Sequence, residues 1–345
     1  LDTTILLFLL QDGVTNGAIY ALLALALVLV FAVTRVILVP QGEFVTCGAL
    51  TLAMLDVGRV PGTVGLLLVL AGLALIAEAW SHRRRFTGKV AGRLVLSYVL
   101  PPLIVAALAW WLAPLRLGVL PQALLAIAIV APMGPYLYRV AFQPLSEASV
   151  LVLLIAAVGA HFSLTGLCLL FFGPEGMRAS PLLTSGFTAG PIPISGQSIA
   201  IYLAAVGLMA GLYLFFGRTL LGKALRATAV NRLGARLVGV RTALSGQLAF
   251  LIAAAMGALS GVLIAPVTTV FYDSGFLIGL KGFVAAIVGG LVSYPLAAGA
   301  AVFVGIVEAL ASFWASSFKE IIVFTIIIPV LLVRSLTATH TEDEE

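Results

Sequence analysis

Long stretches without any acidic or basic side chain decide what this chain can fold into. None falls between Asp12 and Arg35, none between Arg241 and Asp273, and His161 alone interrupts the run from Ala148 to Pro174. A helix crossing the hydrocarbon core of a bilayer needs roughly 20 apolar residues, and these runs supply that length. Of the 345 residues, 62% are hydrophobic and 10% charged, whereas a soluble domain carries about 25% charged residues. So few charges cannot cover a surface in water. Period-two alternation is missing, which sets aside a transmembrane β-barrel. The net charge of +5 does not indicate nucleic-acid binding, because the basic residues lie between apolar spans. The chain reads as all-α, a polytopic transmembrane helix bundle forming a single domain over 1–345.

Eleven candidate segments follow: 14–34, 42–57, 63–80, 94–113, 119–138, 149–172, 198–217, 244–266, 276–292, 296–314 and 319–335. The second and ninth are short. Pro40, Gly42, Gly289, Gly290 and Pro295 beside them allow re-entrant or broken helices, provided protein covers the backbone. Short cytoplasmic loops collect Lys and Arg. With the N-terminus outside and the C-terminus inside, most of the 19 basic residues fall inside, notably Arg83, Arg84, Arg85, Lys89 and Arg93, and the run from Arg218 to Arg241. Leu1–Leu10 carries Asp2 and no basic n-region, so the first span is expected to stay in the mature protein. Cys47 and Cys168 sit in apolar stretches and read as buried free thiols. The tail 336–345 is acidic, ending in Thr341–Glu345, and is expected to be disordered.

Two loops are long. Residues 173–197 are rich in Gly, Pro, Ser and Thr, and read either as a connector or as an external docking surface. Residues 218–243 are basic and structured: Leu220, Leu221, Ala224, Leu225 and Thr228 repeat at helical spacing, with Lys223 and Arg226 on other faces. A second short helix, Val230–Val238, is closed by Gly239 as a C-cap. In the membrane, Ala253, Gly257, Gly261 and Ala265 form one stripe of small residues, and Ala297, Ala301, Gly305 and Ala309 another; such stripes let backbones approach.

The segment AAAMGALSGVLIAPVTTVFYDSGFLIGLKGFVAAIVGG (253–290), with GIVEAL (305–310) after it, resembles the C-terminal half of the branched-chain amino acid type of ABC transporter permease. DGVTNGAIYALLAL (12–25) is similar to that family's opening pattern. The likeness covers roughly 12–57 and 139–335. It departs at Gln41, where His is expected, at RVAFQP (139–144), and at Val292, Ser293, Tyr294 and Pro295 in the turn. Residues 58–138 look longer than the family needs, like a hairpin inserted around the arginine loop.

The resemblance implies the membrane subunit of a binding-protein-dependent ABC importer, multi-pass in a bacterial cytoplasmic (inner) membrane. The chain has no GxxxxGK[ST] phosphate loop and is expected to bind no cofactor of its own. ATP and Mg would be held by two partner ATPase subunits. A second related permease subunit, a periplasmic substrate-binding protein and membrane lipid complete the implied partners. The inner helix becomes a coupling helix contacting an ATPase, with Ala229, Val230, Arg232, Leu233, Arg236, Leu237, Val238 and Gly239 at the contact. Branched-chain amino acids are the default solute, with other small organic solutes open.

Within the membrane, Thr15, Asn16, Glu43 and His161 are candidates for the translocation pathway, each with a plainer alternative. Thr15 and Asn16 read equally as bridges between helices. Glu43 reads as a solvated or capping carboxylate at the inner boundary. His161 reads as a packing histidine, because no second His, Cys or carboxylate lies at metal-ligand spacing. Lys281 and Glu308 are expected at similar depth on adjacent antiparallel helices, as an ion pair. A secondary transporter that couples an ion gradient through Glu308, His161 and Lys281 is the competing class.

Overall fold

The computed structural model describes residues 3–83, 88–189, 192–291 and 293–337. Arg84, Arg85, Val292 and the acidic run Thr341–Glu345 lie outside the described residues. In chain order the helices are α1 (Thr3–Thr34), α2 (Gln41–Asp56), α3 (Thr63–His82), α4 (Gly88–Leu94), α5 (Leu100–Leu112), α6 (Val119–Val130), α7 (Met133–Leu137), α8 (Val150–Phe172), α9 (Gly196–Arg218), α10 (Leu220–Val230), α11 (Arg232–Leu237), α12 (Thr242–Ile264), α13 (Ser274–Val288), α14 (Tyr294–Trp314), α15 (Lys319–Thr325) and α16 (Ile327–Thr337). A π turn joins α4 to α5 and another, Tyr138–Phe142, follows α7. One small antiparallel hairpin, β1 (Phe187–Ala189) with β2 (Ile192–Ile194), sits in the 173–195 loop. It is an addition to the all-α expectation.

Among the described residues, nine segments are long and apolar enough to cross a membrane. The short α2 and α13 account for the other two expected segments. Helices dominate because in lipid each backbone N–H and C=O must find its partner inside the segment. The first span begins at Thr3, not at 14. Its polar residues are accommodated: the Thr15 hydroxyl donates to the Gln11 carbonyl, and the Gln11 amide donates to the Pro193 carbonyl. The span expected at 119–138 runs on through α7 and the second π turn to Leu145.

The core is built around α1, every residue of which is buried from Ala18 to Val30. Both small-residue stripes work within the chain. A Cβ at Gly13 or Gly17 would overlap the α14 backbone at Ile306 or Val302, and one at Gly305 would overlap Gly13 and Gly17. On α12, Gly257 lies against Phe44, and Gly261 against Val45 and Ala49.

The loops sort to two ends. At one, Asp56 accepts from the Ser180 N–H, Arg116 donates to the Val57 carbonyl, Met177 pairs with Val270, and Gln11 reaches Pro193 of the hairpin. At the other, Arg139 meets Glu78, Phe216 stacks on Tyr294, and α11 lies against the turn at Ser146. These are called below the hairpin end and the α11 end.

Candidate functional site

Between α1 and α2 the helix must stop, because Pro40 offers no N–H and restricts Val39 before it. Arg35 takes a left-handed φ of 61°, and the chain turns back so that α2 starts inside the bundle. The Gln41 amide donates to the Ala253 carbonyl at 3.0 Å, and Ala253 lies halfway along the 23-residue α12. From there α2 runs parallel to α12 toward the hairpin end, where Gln122 of α6 donates to the Leu55 carbonyl. The short α13 starts beside it and runs the opposite way. A Cβ at Gly42 or at Gly275 would overlap the other's carbonyl, and the Gly275 N–H donates to Thr46 Oγ1 at 2.9 Å. Two short helices therefore begin side by side deep in the bundle, the arrangement by which broken helices place their N-terminal ends near the midplane.

Glu43 sits in the first turn of α2, 3% exposed. That corrects its expected position at a solvated boundary. It caps no helix: its Oε1 lies 2.6 Å from Nδ1 of His161, at the middle of the 23-residue α8. Thr165 Oγ1 also donates to Oε1, at 3.4 Å, and Phe276 of α13 stacks on the imidazole at 4.5 Å. Glu43 Oε2 and Gln41 Oε1 are buried without a hydrogen-bond partner among the described residues. One turn further along α2 and two turns further along α8 the Cys47 and Cys168 sulfurs approach to 3.7 Å as free thiols. Beyond them Thr51 and Thr63 share a hydrogen bond of 2.6 Å. Glu43, Cys47 and Thr51 thus form one polar face of α2, with His161, Thr165, Cys168 and Thr63 opposite.

No carboxylate lies near His161 in sequence, and Glu43 meets it only because α2 turns back toward α8. Among the described residues no group of three or more potential ligands gathers to hold a metal. Thr15 and Asn16 are not part of this cluster. They lie nearer the hairpin end, where Thr15 bonds Tyr202 of α9 at 2.7 Å.

A second buried polar group joins α1, α13, α14 and α15. Lys281 Nζ lies 2.6 Å from Glu308 Oε1 and 3.1 Å from Glu320 Oε1. The Tyr20 hydroxyl donates to Glu308 Oε2 at 2.6 Å. The turn between α13 and α14 brings the first pair together, whereas Glu320 and Tyr20 arrive through packing that no spacing in the sequence announces.

At the opposite end, α11 is shorter than the Val230–Val238 expectation. Ala229 and Val230 belong to the last turn of α10. The break falls at Asn231, whose extended backbone (φ −149°, ψ 103°) ends one helix while its side chain accepts from the Gly234 N–H to start the next. Gly239 closes the segment with φ 88°. Leu233, Leu237 and Val238 are 68%, 81% and 79% exposed, and Val230 is exposed beside them. Arg232 and Arg236 turn back to the chain. Arg232 donates to the Ser146 carbonyl at 2.8 Å, and Arg236 reaches Thr242 Oγ1 at 3.1 Å and Glu147 at 3.2 Å.

Residues 9–332 match the family described as branched-chain amino acid transport system, permease component. The chain is similar to two permease proteins of high-affinity branched-chain amino acid transport systems, BraD of Pseudomonas aeruginosa and LivH of Escherichia coli K12. Each is 32% identical over 215 residues, which cover 60% of this chain and 70% of the relative. A helical, multi-pass membrane protein matched almost from end to end in this way belongs to the family of permease components of the branched-chain amino acid transport system.

Proposed function

We propose that the chain is the membrane-spanning permease of an ATP-driven, binding-protein-dependent importer for branched-chain amino acids or a closely related solute. It works in a bacterial cytoplasmic membrane, with the α11 end inside and the hairpin end outside. Its partners are a second, related permease subunit, two ATPase subunits that hold ATP and Mg, and an external binding protein that delivers the solute to the hairpin end. The solute assignment rests on the relatives, and the sidedness on the arginines gathered at the α11 end.

The observation that carries the ATP-driven reading is the apolar side of α10 and α11. Val230, Leu233, Leu237 and Val238 face away from the bundle, on a segment whose arginines are occupied by its own chain. An apolar side held out in this manner calls for a partner groove, and in this family's setting the partner is an ATPase subunit. Burying such a side chain at the centre of an interface contributes about 2–4 kcal/mol where it is a hot spot. Leu233→Asp is expected to leave the permease inserted and folded but to abolish both ATPase co-purification and solute uptake. ATPase subunits that co-purify at the wild-type ratio, with uptake intact, would remove α11 as the contact. A secondary transporter would carry no ATPase subunits even in the wild type.

Glu43 and His161 are assigned to the translocation pathway, at the depth where α2 and α13 begin. Thr15 and Asn16 are assigned to its outer approach, and the α3/α5 pair to an insertion beside the family core.

A further inference from the structure

α8 is held along one face and at one end, and the rest of it is open. Leu151, Ile155, Phe162 and Leu170 point away from the bundle. A Cβ added at Gly159 or Gly166 would meet nothing within 4 Å, whereas Gly48, Gly257 and Gly261 lock α2 and α12 backbone to backbone. The face turned inward is the polar one, with His161, Thr165 and Cys168 set against Glu43 and Cys47. A buried polar seam in a lipid-facing bundle is costly and is expected where function needs it. The end that is held has a handle. Ser146 and Glu147, which receive Arg232 and Arg236 of α11, come just before Ser149, the N-cap of α8.

Resting on the importer reading above, we infer that α8 is the moving element of the permease. Drawn at its N-terminal end by α11 through Arg232 and Arg236, it parts from α2 along the polar seam and opens Glu43 to the ammonium group of the solute. The unpartnered Oε2 of Glu43 is the acceptor, since a carboxylate bonds an ammonium more strongly than a neutral donor. Arg232 and Arg236 are positioning residues, and Leu233, Leu237 and Val238 remain the docking side. The bond between α11 and the turn at Ser146 converts movement of a docked ATPase into movement of one helix.

Cys47 and Cys168 are the chain's two cysteines, and both lie on the seam, so thiol labelling of the permease reports its opening. The experiment uses the assembled transporter in proteoliposomes, at rest and during ATP-driven uptake, with labelled peptides read by mass spectrometry. Methanethiosulfonate ethylammonium is expected to label the two thiols at least tenfold faster during uptake than at rest. It should also outpace the anionic ethylsulfonate reagent by more than the two differ on a free thiol in solution, and Glu43→Gln should return the ratio to the free-thiol value. Arg232→Ala combined with Arg236→Ala should lower the uptake-dependent labelling at least tenfold in preparations that still carry ATPase subunits. Equal labelling at rest and during active uptake would overturn the inference, because uptake would then proceed with the seam unchanged. A ratio of the two rates during uptake no greater than that on a free thiol would overturn the assignment of Glu43. Loss of ATPase subunits and of uptake in the unmodified transporter would instead mark failure of the importer reading.

Discussion

Lys281 has two carboxylates and each carboxylate has a different claim on it. Glu308 is nearly enclosed and shares its other oxygen with Tyr20, while Glu320 is about one-third exposed at its side chain. Removing the cation leaves a buried carboxylate without its charge partner, and breaking such a pair costs about 3–5 kcal/mol. Lys281→Met is therefore expected to lower the thermal unfolding midpoint in detergent more than Glu308→Gln, which leaves Lys281 its contact with Glu320. The reverse order would show that Glu320 contributes nothing. Exchanging Lys281 and Glu308 should rescue poorly, since a carboxylate at 281 would face Glu320. The Lys281–Glu308 contact was legible because the two residues flank one turn at equal helical distance. Glu43 with His161 was not, because their meeting depends on a chain reversal at Arg35–Pro40 that composition does not specify.

The two membrane segments too short to span, α2 and α13, meet, and length alone gave no sign that they would. Apolar runs marked α2 and α13 as short, and the glycines beside them suggested breaks. Which breaks face each other is decided by backbone contact at Gly42 and Gly275, where neither residue has room for a Cβ. Overpacking of a filled interior costs about 1–3 kcal/mol, and here the obstacle is backbone. Gly42→Ala is expected to cost at least that much, read as a lowered unfolding midpoint and reduced yield. Alanine at Gly159, with open space around it, should be near neutral in the same assay. The boundary of α11 was misplaced by two residues for a related reason: helical spacing carries straight through Ala229 and Val230, and only Asn231, which serves as the C-cap of one helix and the N-cap of the next, reveals the break.

Across the whole molecule, loops that alternate along the chain gather at alternate ends, and the two ends differ in charge. Arg218, Lys223, Arg226, Arg232, Arg236 and Arg241 belong to one end, whereas residues 181–197 carry no charge. Cys47 and Cys168 are buried, so an introduced surface cysteine stands out. Ser185→Cys is expected to react with an impermeant maleimide in whole cells, and Lys223→Cys only after the membrane is opened. The opposite pattern would invert the molecule and leave α11 outside, where no ATPase could reach it.

The enclosure of α1 has a consequence for how the chain is made. This helix leaves the ribosome well before α12, α13 and α14, which form its walls. Until they arrive, Gly13 and Gly17 have no α14 backbone to meet, and the helix must wait in lipid or under a chaperone. A ribosome stalled after α11 would hold α1 without its walls, and crosslinking of α1 to lipid or to a chaperone should persist until α14 has emerged.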